Sequence, residues 1–394
     1  LGLALAPMLS CAPEDNYQLL QTGQLQQGQA EVTYEYVRVE RAFYEMHLLG
    51  DKRFQRDHAY HPDYVLGYLE RMALHQIKER SEIVPLNETE IRHGLRDPFD
   101  LQPTKHWGLL SEEDFEDYHD YDELTAELAG LADQHPELLR LETAGQSVQG
   151  RELWYTLVAS PTAIAEQKPK LLYIANMHGD EVVGRELMIY LIRLFAEEYG
   201  VNKRITQLLD QAQIFIMPTM NPDGFENGRR YNANGRDLNR NFPDFTTDPD
   251  DTPAGRQPET QAVMALHEQH HFVAALNLHG GEVCVNMPWD TASNRREIER
   301  FGDDPLMTQL ARAYADANPT MVANDRGPFD RGVTYGYEWY EVDGGLQDWA
   351  NHYRNSFHET LELSYSKWPP ARQLPSLWQE NREPLLAYLE SALH

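Results

Sequence analysis

Two histidines and one glutamate are the residues of this chain whose types and positions best suit metal chemistry. The apolar run Leu171–Met177 leads directly into His178, with Glu181 three residues later at the start of a helical pattern. On its own this pair is typical of a solvated helix start, but a second apolar run, Phe272–Leu278, leads into His279. Two imidazoles and one carboxylate form a recognised zinc ligand set that leaves one coordination position open for water. The three residues therefore predict a catalytic site with one Zn²⁺ per chain.

The order of apolar runs and helical patterns predicts a fold that would bring these residues together. From about Tyr118 onward, buried runs alternate with helical segments, among them a helix from about Val182 to Tyr199 and a buried run at Ile214–Met217. Such alternation is typical of an α/β fold with a doubly wound sheet, in which functional side chains collect beyond the carboxyl ends of the strands. The expected architecture is a three-layer α/β/α sandwich around a mixed, mostly parallel sheet.

A long polar loop after the second buried run is another cluster of chemically capable residues. It runs from Asn221-Pro-Asp-Gly-Phe225 through Arg230 to Asp237-Leu-Asn-Arg-Asn-Phe-Pro243. Its neighbouring Asn239 and Arg240 present an amide and a bidentate guanidinium, which together suit a carboxylate ligand.

With these motifs in this order, the chain resembles the M14 zinc carboxypeptidases, and in particular their regulatory branch, carboxypeptidases N, E, D and M. The resemblance covers about 70% of the chain, from Tyr118 to the end. The motifs that carry it are His178-x-x-Glu181-Val-Val-Gly-Arg-Glu186, Asn221-Pro-Asp-Gly, Asp237-Leu-Asn-Arg-Asn-Phe-Pro243, Asn277-Leu-His-Gly-Gly281, Gly344-Gly-Leu-Gln-Asp348, and Thr360-Leu-Glu-Leu-Ser364 followed by Lys367-x-Pro-Pro. It implies a zinc-dependent exopeptidase that hydrolyses the C-terminal peptide bond.

The resemblance also implies catalytic roles for individual residues. The zinc ligands would be His178, Glu181 and His279. Glu362, on the last recognisable strand, would be the general acid/base that activates the zinc-bound water. Arg230 would polarise the scissile carbonyl, and Asp237 would accept a hydrogen bond from the ring of His178 and fix its orientation.

By resemblance, five further residues would bind the substrate. Asn239 and Arg240 would bind the terminal carboxylate, and Tyr340 would close over the bound residue. Asp290 lies eleven residues after the second zinc histidine and Gln347 seven residues after the closing tyrosine, positions that in this branch receive a Lys or Arg side chain. An apolar side chain opposite a buried carboxylate would be rejected, because the charge would stay unpaired. The alternative is that Asp290 is an ordinary acid of an exposed loop.

Composition narrows the range of partners. The 394 residues include 63 acidic and 34 basic side chains, for a formal net charge of −29. Nucleic acid and anionic membrane surfaces are therefore disfavoured, and peptide or protein C-termini are expected instead. No long apolar run follows the first dozen residues, which argues against a multi-span membrane protein. Cys11 and Cys284 are too few for a disulfide framework or a Cys-rich zinc site.

The N-terminal part of the chain has a different character. Residues 1–11 resemble the end of a secretory signal with a bacterial lipoprotein cleavage box, so export and lipid attachment at Cys11 are expected; the alternative is an apolar terminus with a chance cysteine. Residues 12–115 form an extension, expected to be mainly helical from the spacing in Tyr64–Arg80, with a strand within Val32–Val39. A pro-segment, a spacer and a packing extension all remain open. Residues 116–394 are the expected catalytic domain.

Two local patterns compete with this interpretation, and one residue departs from it. His267-Glu268-x-x-His271 formally fits a zinc protease pattern, but it lies at the end of a helix where polar residues normally face solvent, so no metal role is expected. Gly145-Gln-Ser-Val-Gln-Gly150 is one residue too long for a nucleophile elbow. Glu282 stands where relatives often have serine.

Two other functions remain open. One is the trimming of cell-wall peptides that end in diaminopimelate, which keeps the chemistry and changes the substrate. The other is non-catalytic peptide binding on the same scaffold, which the presence of Glu362 and all three metal ligands disfavours.

Overall fold

The computed structural model of the protein describes residues 34–48, 53–60, 64–70, 83–85, 117–291 and 304–394. The expected lipid-attachment residue Cys11 and the rest of the predicted signal lie outside these ranges, as do most residues of the extension.

The described parts of the extension form a small antiparallel sheet. Its strands are β1 (Tyr34–Glu40), β2 (Phe54–Tyr60), β3 (Tyr64–Glu70) and β4 (Ile83–Pro85), in the order β2-β3-β1-β4. A short helix after β1, α1 (Arg41–Phe43), continues as a π turn over Tyr44–Leu48. Val37, Val39 and Leu69 are buried in an apolar cluster between these elements.

The prediction of a mainly helical extension is wrong for the described residues. Tyr64–Glu70, expected to be helical from its spacing, is strand β3 and pairs with β1 and β2. Periodicity does not separate a short buried strand from a buried helix, and the Tyr and Val side chains of this run favour a strand. The strand expected within Val32–Val39 is confirmed as β1.

An eight-stranded mixed sheet forms the centre of the region from residue 117 onward. Its strands are β5 (Leu139–Gln146), β6 (Glu152–Val158), β7 (Lys170–Ala175), β8 (Gln213–Met217), β9 (Ala274–His279), β10 (Glu282–Met287), β11 (Val333–Tyr335) and β12 (Phe357–Ser364). Their order is β11-β10-β12-β9-β7-β8-β6-β5. The central strands β8, β7, β9 and β12 run parallel, whereas β5, β6 and β10 add antiparallel pairs.

Helices cover both faces of this sheet. They are α2 (Tyr121–Gln134), α3 (Pro161–Ala165), α4 (Val183–Glu198), α5 (Lys203–Gln211), α6 (Pro222–Glu226), α7 (Pro258–His270), α8 (Asp304–Ala315), α9 (Pro319–Ala323), α10 (Gly336–Trp339), α11 (Leu346–Arg354) and α12 (Leu374–Ser391). One apolar core contains side chains of α2, α4, α5, α8 and α12, and a second contains side chains of α3, α7 and α11. None of the helices within the described ranges combines the length and the hydropathy that a bilayer-spanning helix needs.

The alternation of side chains along β7 explains why the sheet is buried on both faces. Leu171, Tyr173 and Ala175 belong to the first core, and Leu172 and Ile174 belong to the second. Successive side chains of a strand point to opposite faces, so an uninterrupted apolar run is what a doubly covered parallel strand requires. The predicted three-layer α/β/α architecture is confirmed.

The small sheet contacts the larger domain through Arg56 of β2. Its guanidinium donates a hydrogen bond to the carbonyl oxygen of Trp339 at 3.4 Å and lies 4.8 Å from the ring centre of Tyr340. The extension therefore touches the residue that the sequence predicts to close over the substrate.

Candidate active site

The three predicted metal ligands converge where two neighbouring strands end. His178 follows β7 after two intervening residues, Glu181 lies just before α4, and His279 is the last residue of β9. Strands β7 and β9 are parallel neighbours, with Ala175 opposite Leu278. Their carboxyl ends therefore deliver both histidines to the same edge of the sheet.

The ligand atoms of these residues are close enough to share one ion. The Nδ1 atoms of His178 and His279 lie 3.0 Å apart, and Oε2 of Glu181 lies 3.0 Å from the first and 2.8 Å from the second. Ligand atoms on a tetrahedral zinc with bonds of about 2.0–2.1 Å are about 3.3 Å apart, so this donor set fits Zn²⁺. Within the part of the chain that the structure describes, it is the one cluster of this kind.

Asp237 fixes the ring of His178. Its Oδ1 atom lies 3.1 Å from Nε2 of His178, and its Oδ2 atom accepts a hydrogen bond from Nε of Arg230 at 2.9 Å. Burial opposes ionisation of Asp237, but the charges of Arg230 and His178 outweigh it and hold the pKa of this carboxyl well below its usual range. An ionised Asp237 keeps the proton of the imidazole on Nε2, so that Nδ1 is the atom that would bind the metal.

Asn176 holds the turn that carries two of the ligands, a role that sequence reasoning missed. Its backbone adopts φ 56°, and its Nδ2 atom lies 2.9 Å from the carbonyl oxygen of His178 and 3.2 Å from those of Gly179 and Glu181. Asparagine tolerates this left-handed conformation better than most residues, which was the available signal. Gly179 is required for close approach, because a Cβ there would lie 2.1 Å from the carbonyl carbon of Gly224.

Arg230 points its guanidinium at the metal ligands. NH1 lies 3.1 Å from Nδ1 of His178 and 3.3 Å from Oε1 of Glu181. The backbone next to it is anchored by Asn221, whose Nδ2 donates to the carbonyl oxygens of Met177 and Arg230, each at 3.2 Å. The Asn-Pro-Asp-Gly turn thus ties the polar loop to the end of β7 and places a cation beside the position of the metal.

Glu362 lies on the strand next to the second zinc histidine. In the sheet it is the direct partner of His279 in β9 and of Cys284 in β10. The residue is 2% exposed, so its carboxylate is held away from bulk water at the same edge as the predicted metal ligands.

The buried hydroxyl of Tyr340 is influenced by the charges of four other predicted site residues. Burial raises the pKa of Tyr340; the charges of Arg240 and Arg230 act in the opposite direction, and those of Glu362 and Asp290 raise it further. A charge changes the pKa of a buried hydroxyl appreciably only when it lies close to that hydroxyl. These four charged side chains therefore lie near the hydroxyl of Tyr340.

Hydrogen bonds to backbone groups hold the side chains of the predicted carboxylate-binding pair, Asn239 and Arg240. Oδ1 of Asn239 accepts a hydrogen bond from the amide of Leu346 at 3.1 Å, and NH1 of Arg240 donates to the carbonyl oxygen of Asn239 at 2.8 Å. Gly344 (φ 73°) allows close packing here, because a Cβ would meet the backbone of Arg240 at 3.0 Å.

Asp290 and Gln347 are both buried, so the alternative of an exposed loop acid does not hold. Asp290 is 3% exposed and accepts a hydrogen bond from Nδ2 of Asn286 at 2.7 Å. Burial raises the pKa of Asp290, partly offset by Asn286 and Arg240. Oε1 of Gln347 accepts from the amide of Thr360 at 2.7 Å, and its Nε2 has no hydrogen-bond partner among the described residues.

The first histidine of the His-Glu-x-x-His pattern does not face solvent, contrary to expectation for the end of a helix. His267 is 1% exposed, packs against Phe272 and Trp349, and shares a hydrogen bond of 2.9 Å with the carbonyl oxygen of Val263. Its ring stacks on that of His358 at 5.8 Å. It is a packed core histidine.

This histidine pair predicts a loss of stability in acid. Burial lowers the pKa of His267 to about 4 and that of His358 well below its usual range, whereas both take up protons near pH 6.5 in the unfolded chain. The free energy of unfolding is therefore at its full value above pH 6.5, where both states hold neutral histidines. It decreases as the pH falls toward 4, by about 3 kcal/mol for His267, because protons then bind preferentially to the unfolded chain. Urea unfolding at pH 7.0 and at pH 4.5 measures this difference in unfolding free energy.

The matched control for this prediction is the exposed third histidine of the pattern. His267→Gln is expected to reduce the difference in unfolding free energy between the two pH values. His271→Asn, which suits the left-handed backbone at that position (φ 51°), is expected to leave the difference unchanged. An equal pH dependence in all three proteins would contradict the assignment.

Glu282, the residue that departs from its relatives, has a partner of its own. It is 1% exposed, and both of its carboxylate oxygens accept hydrogen bonds from NH2 of Arg326, at 2.9 and 3.0 Å. Its charge is therefore compensated locally and does not add to the metal set.

Comparison with known proteins agrees with this geometry. The family model described as zinc carboxypeptidase matches residues 124–384. Among curated proteins, the chain is 39% identical to carboxypeptidase D of Anas platyrhynchos over 69% of its length, and 36% identical to the human carboxypeptidase N catalytic chain, likewise over 69%. It spans only 21% of that carboxypeptidase D but 68% of the carboxypeptidase N chain.

Solved structures share the fold at low sequence identity. Carboxypeptidase A from Helicoverpa armigera aligns with a TM-score of 0.67 and 17% identity, covering 92% of this chain and 98% of that one. Thrombin activatable fibrinolysis inhibitor aligns with a TM-score of 0.66 and 17% identity, covering 92% and 99%. With the family model matched over most of the chain and the donor set in place, this protein belongs to the M14 zinc carboxypeptidase family.

Proposed function

We propose that the chain hydrolyses the C-terminal peptide bond of peptides and proteins and releases a basic residue. The supporting observation is that the His₂Glu donor set and the buried carboxylate of Glu362 meet at one edge of the sheet, with the guanidinium of Arg230 against the donor set. When bound, zinc supplies a coordinated water of lowered pKa, about 7, and polarises a carbonyl.

Two residues beside the metal site have separate roles: Glu362 transfers the proton, and Arg230 stabilises the negative charge. Glu362 accepts a proton from the attacking water on a carboxylate oxygen and delivers it to the amide nitrogen that leaves. Arg230 donates hydrogen bonds to the carbonyl oxygen as negative charge develops there. The low exposure of both side chains keeps water from weakening these interactions.

Exopeptidase selectivity comes from the far end of the cavity. Arg240 and the amide of Asn239 bind the terminal carboxylate, so that only the last peptide bond reaches the metal. Tyr340 covers the bound residue and excludes water from it.

The preference for Lys or Arg rests on Asp290 and Gln347. A basic side chain entering the cavity neutralises the buried carboxylate of Asp290, whereas an apolar one leaves it buried and unpaired. The unpartnered Nε2 of Gln347 is a donor, and it suits an acceptor or a bound water that completes the contact with the substrate.

Turnover of benzoyl-Gly-Arg, with benzoyl-Gly-Phe as the competitor and with and without a zinc chelator, tests this proposal. We expect hydrolysis of the arginine substrate that is lost with chelator and restored by Zn²⁺. A preference for the phenylalanine substrate would refute the basic pocket, and zinc binding without turnover of either would support a binding module instead. Peptides ending in diaminopimelate form the third arm; their extra side-chain carboxylate is disfavoured beside Asp290.

Removing the charge of Asp290 is predicted to weaken this preference. Asp290→Asn should lower kcat/KM for the arginine substrate by about 30-fold or more, since loss of one partner of a buried charge pair costs about 2–5 kcal/mol, and should affect the phenylalanine substrate less. Asp330→Asn, at an exposed acid paired with Arg312, is the matched control and should leave the ratio unchanged. An unchanged ratio in Asp290→Asn would contradict the assignment.

We further propose that the protein is exported and lipid-anchored at Cys11, on the strength of the Met8-Leu-Ser-Cys11 motif. Incorporation of labelled palmitate into the wild-type protein and its loss in Cys11→Ser test this.

A further inference from the structure

The loop of residues 364–367, which follows β12, is bonded to both metal-binding segments. The amide of Gly281, two residues after His279, donates to the carbonyl oxygen of Ser364 at 2.7 Å. The amide of Val182, next to Glu181, donates to the carbonyl oxygen of Lys367 at 3.0 Å. The strand that carries Glu362 therefore continues into a segment that joins the two halves of the metal site.

Close packing holds this loop in place. A Cβ on Gly280 would lie 3.3 Å from Oγ of Ser364 and 3.8 Å from Cα of Lys367. Within the loop, Oγ of Ser364 donates to the carbonyl oxygen of Ser366 at 2.6 Å. The backbone of Lys367 is thus fixed on both sides, which limits the positions that its side chain can reach.

The side chain of Lys367 is directed at a metal ligand. Its Nζ atom lies 3.3 Å from Oε1 of Glu181 and 3.9 Å from Oδ2 of Asp180, and the side chain is 8% exposed. Oε1 is the oxygen of Glu181 that faces away from the histidines, since Oε2 contacts both Nδ1 atoms. The two oxygens of one carboxylate therefore have separate partners.

Arg230 is the second cation on Oε1 of Glu181, at 3.3 Å. In the proposed reaction Arg230 must turn its hydrogen bonds toward the substrate carbonyl. Lys367 can keep its contact with Oε1 during that change, because nothing in the proposed reaction requires it to move.

We propose that Lys367 is a positioning residue for zinc: it holds Oε1 of Glu181 so that Oε2 stays directed at the metal. This depends on the donor set and not on the proposed substrate. Groups that orient metal ligands contribute about 10- to 100-fold to metal affinity. The ammonium contacts Oε1, whereas Oε2 is the oxygen that contacts both histidine nitrogens.

The experiment measures zinc affinity by competition with a chromophoric chelator, without reference to activity. Lys367→Met, which keeps the length and removes the charge, is expected to raise the zinc Kd about 10- to 100-fold. Lys367→Arg is expected to restore most of the affinity, and Lys203→Met, at an exposed lysine, to leave it unchanged. The visible absorption spectrum of the Co²⁺-substituted protein is expected to change in Lys367→Met alone.

An unchanged or lower zinc Kd in folded Lys367→Met would overturn the proposal. If that variant does not fold, a crystal structure of the zinc-loaded wild-type protein decides. A distance below about 3.5 Å between Nζ of Lys367 and Oε1 of Glu181 supports the proposal, and a distance above about 5 Å refutes it.

Discussion

Glu362→Gln is expected to lower kcat about 10²–10⁴-fold, the usual contribution of a general acid–base group. Glutamine has nearly the same shape, but its amide cannot take a proton from the attacking water or return one to the leaving nitrogen. Because Glu362 contributes no ligand atom to the donor set, zinc content should remain at one ion per chain. Steady-state kinetics on benzoyl-Gly-Arg together with metal analysis measure both quantities.

Glu359 offers a matched control on the same strand. It is fully buried, and burial raises the pKa of its carboxyl well above the usual range, which favours the uncharged form that glutamine imitates. Glu359→Gln should therefore fold and keep its turnover. Near-normal turnover in Glu362→Gln would show that another group moves the proton.

Arg230→Ala is expected to lower kcat about 10²–10³-fold, as removal of an oxyanion donor typically does, with a smaller change in KM. The reason is that its hydrogen bonds strengthen as the carbonyl oxygen becomes negative. Because Arg230 also contacts Asp237 and Glu181, zinc content must be measured in parallel. Arg230→Lys, which keeps the charge, should recover part of the rate.

The neighbouring Arg229 is exposed, and Arg229→Ala should behave as the wild type. A rise in KM with unchanged kcat in Arg230→Ala would instead assign this residue to substrate binding in the ground state.

Much of the sheet could be predicted because strands buried on both faces leave a direct signal in the sequence. The runs before His178 and His279 are long, apolar and bounded by polar residues, and parallel packing then requires that both end at the same edge. The donor set follows from this topology. Register and strand order are not written in such runs, because they depend on pairing between segments that are distant along the chain.

Contacts between segments that are far apart along the chain could not be predicted from the sequence. Asn176 acts through a left-handed backbone and three carbonyl acceptors that exist only once the turn has formed. Lys367 approaches Glu181 across 186 positions of chain because of how the loop after β12 packs on Gly280. The spacing of apolar residues in Tyr64–Arg80 predicts a helix, but Tyr64–Glu70 is a strand, because periodicity over so short a segment does not separate the two.

The register of β9 against β12 has a mechanical consequence. Glu362 and His279 are paired directly across two neighbouring strands, so the spacing between the proposed general acid/base and the predicted metal ligand is fixed by main-chain hydrogen bonds within a sheet that is covered on both faces. Loosening of the surrounding loops by heat or denaturant should impair capture of the peptide first, while the proton-transfer geometry persists until the sheet itself unravels.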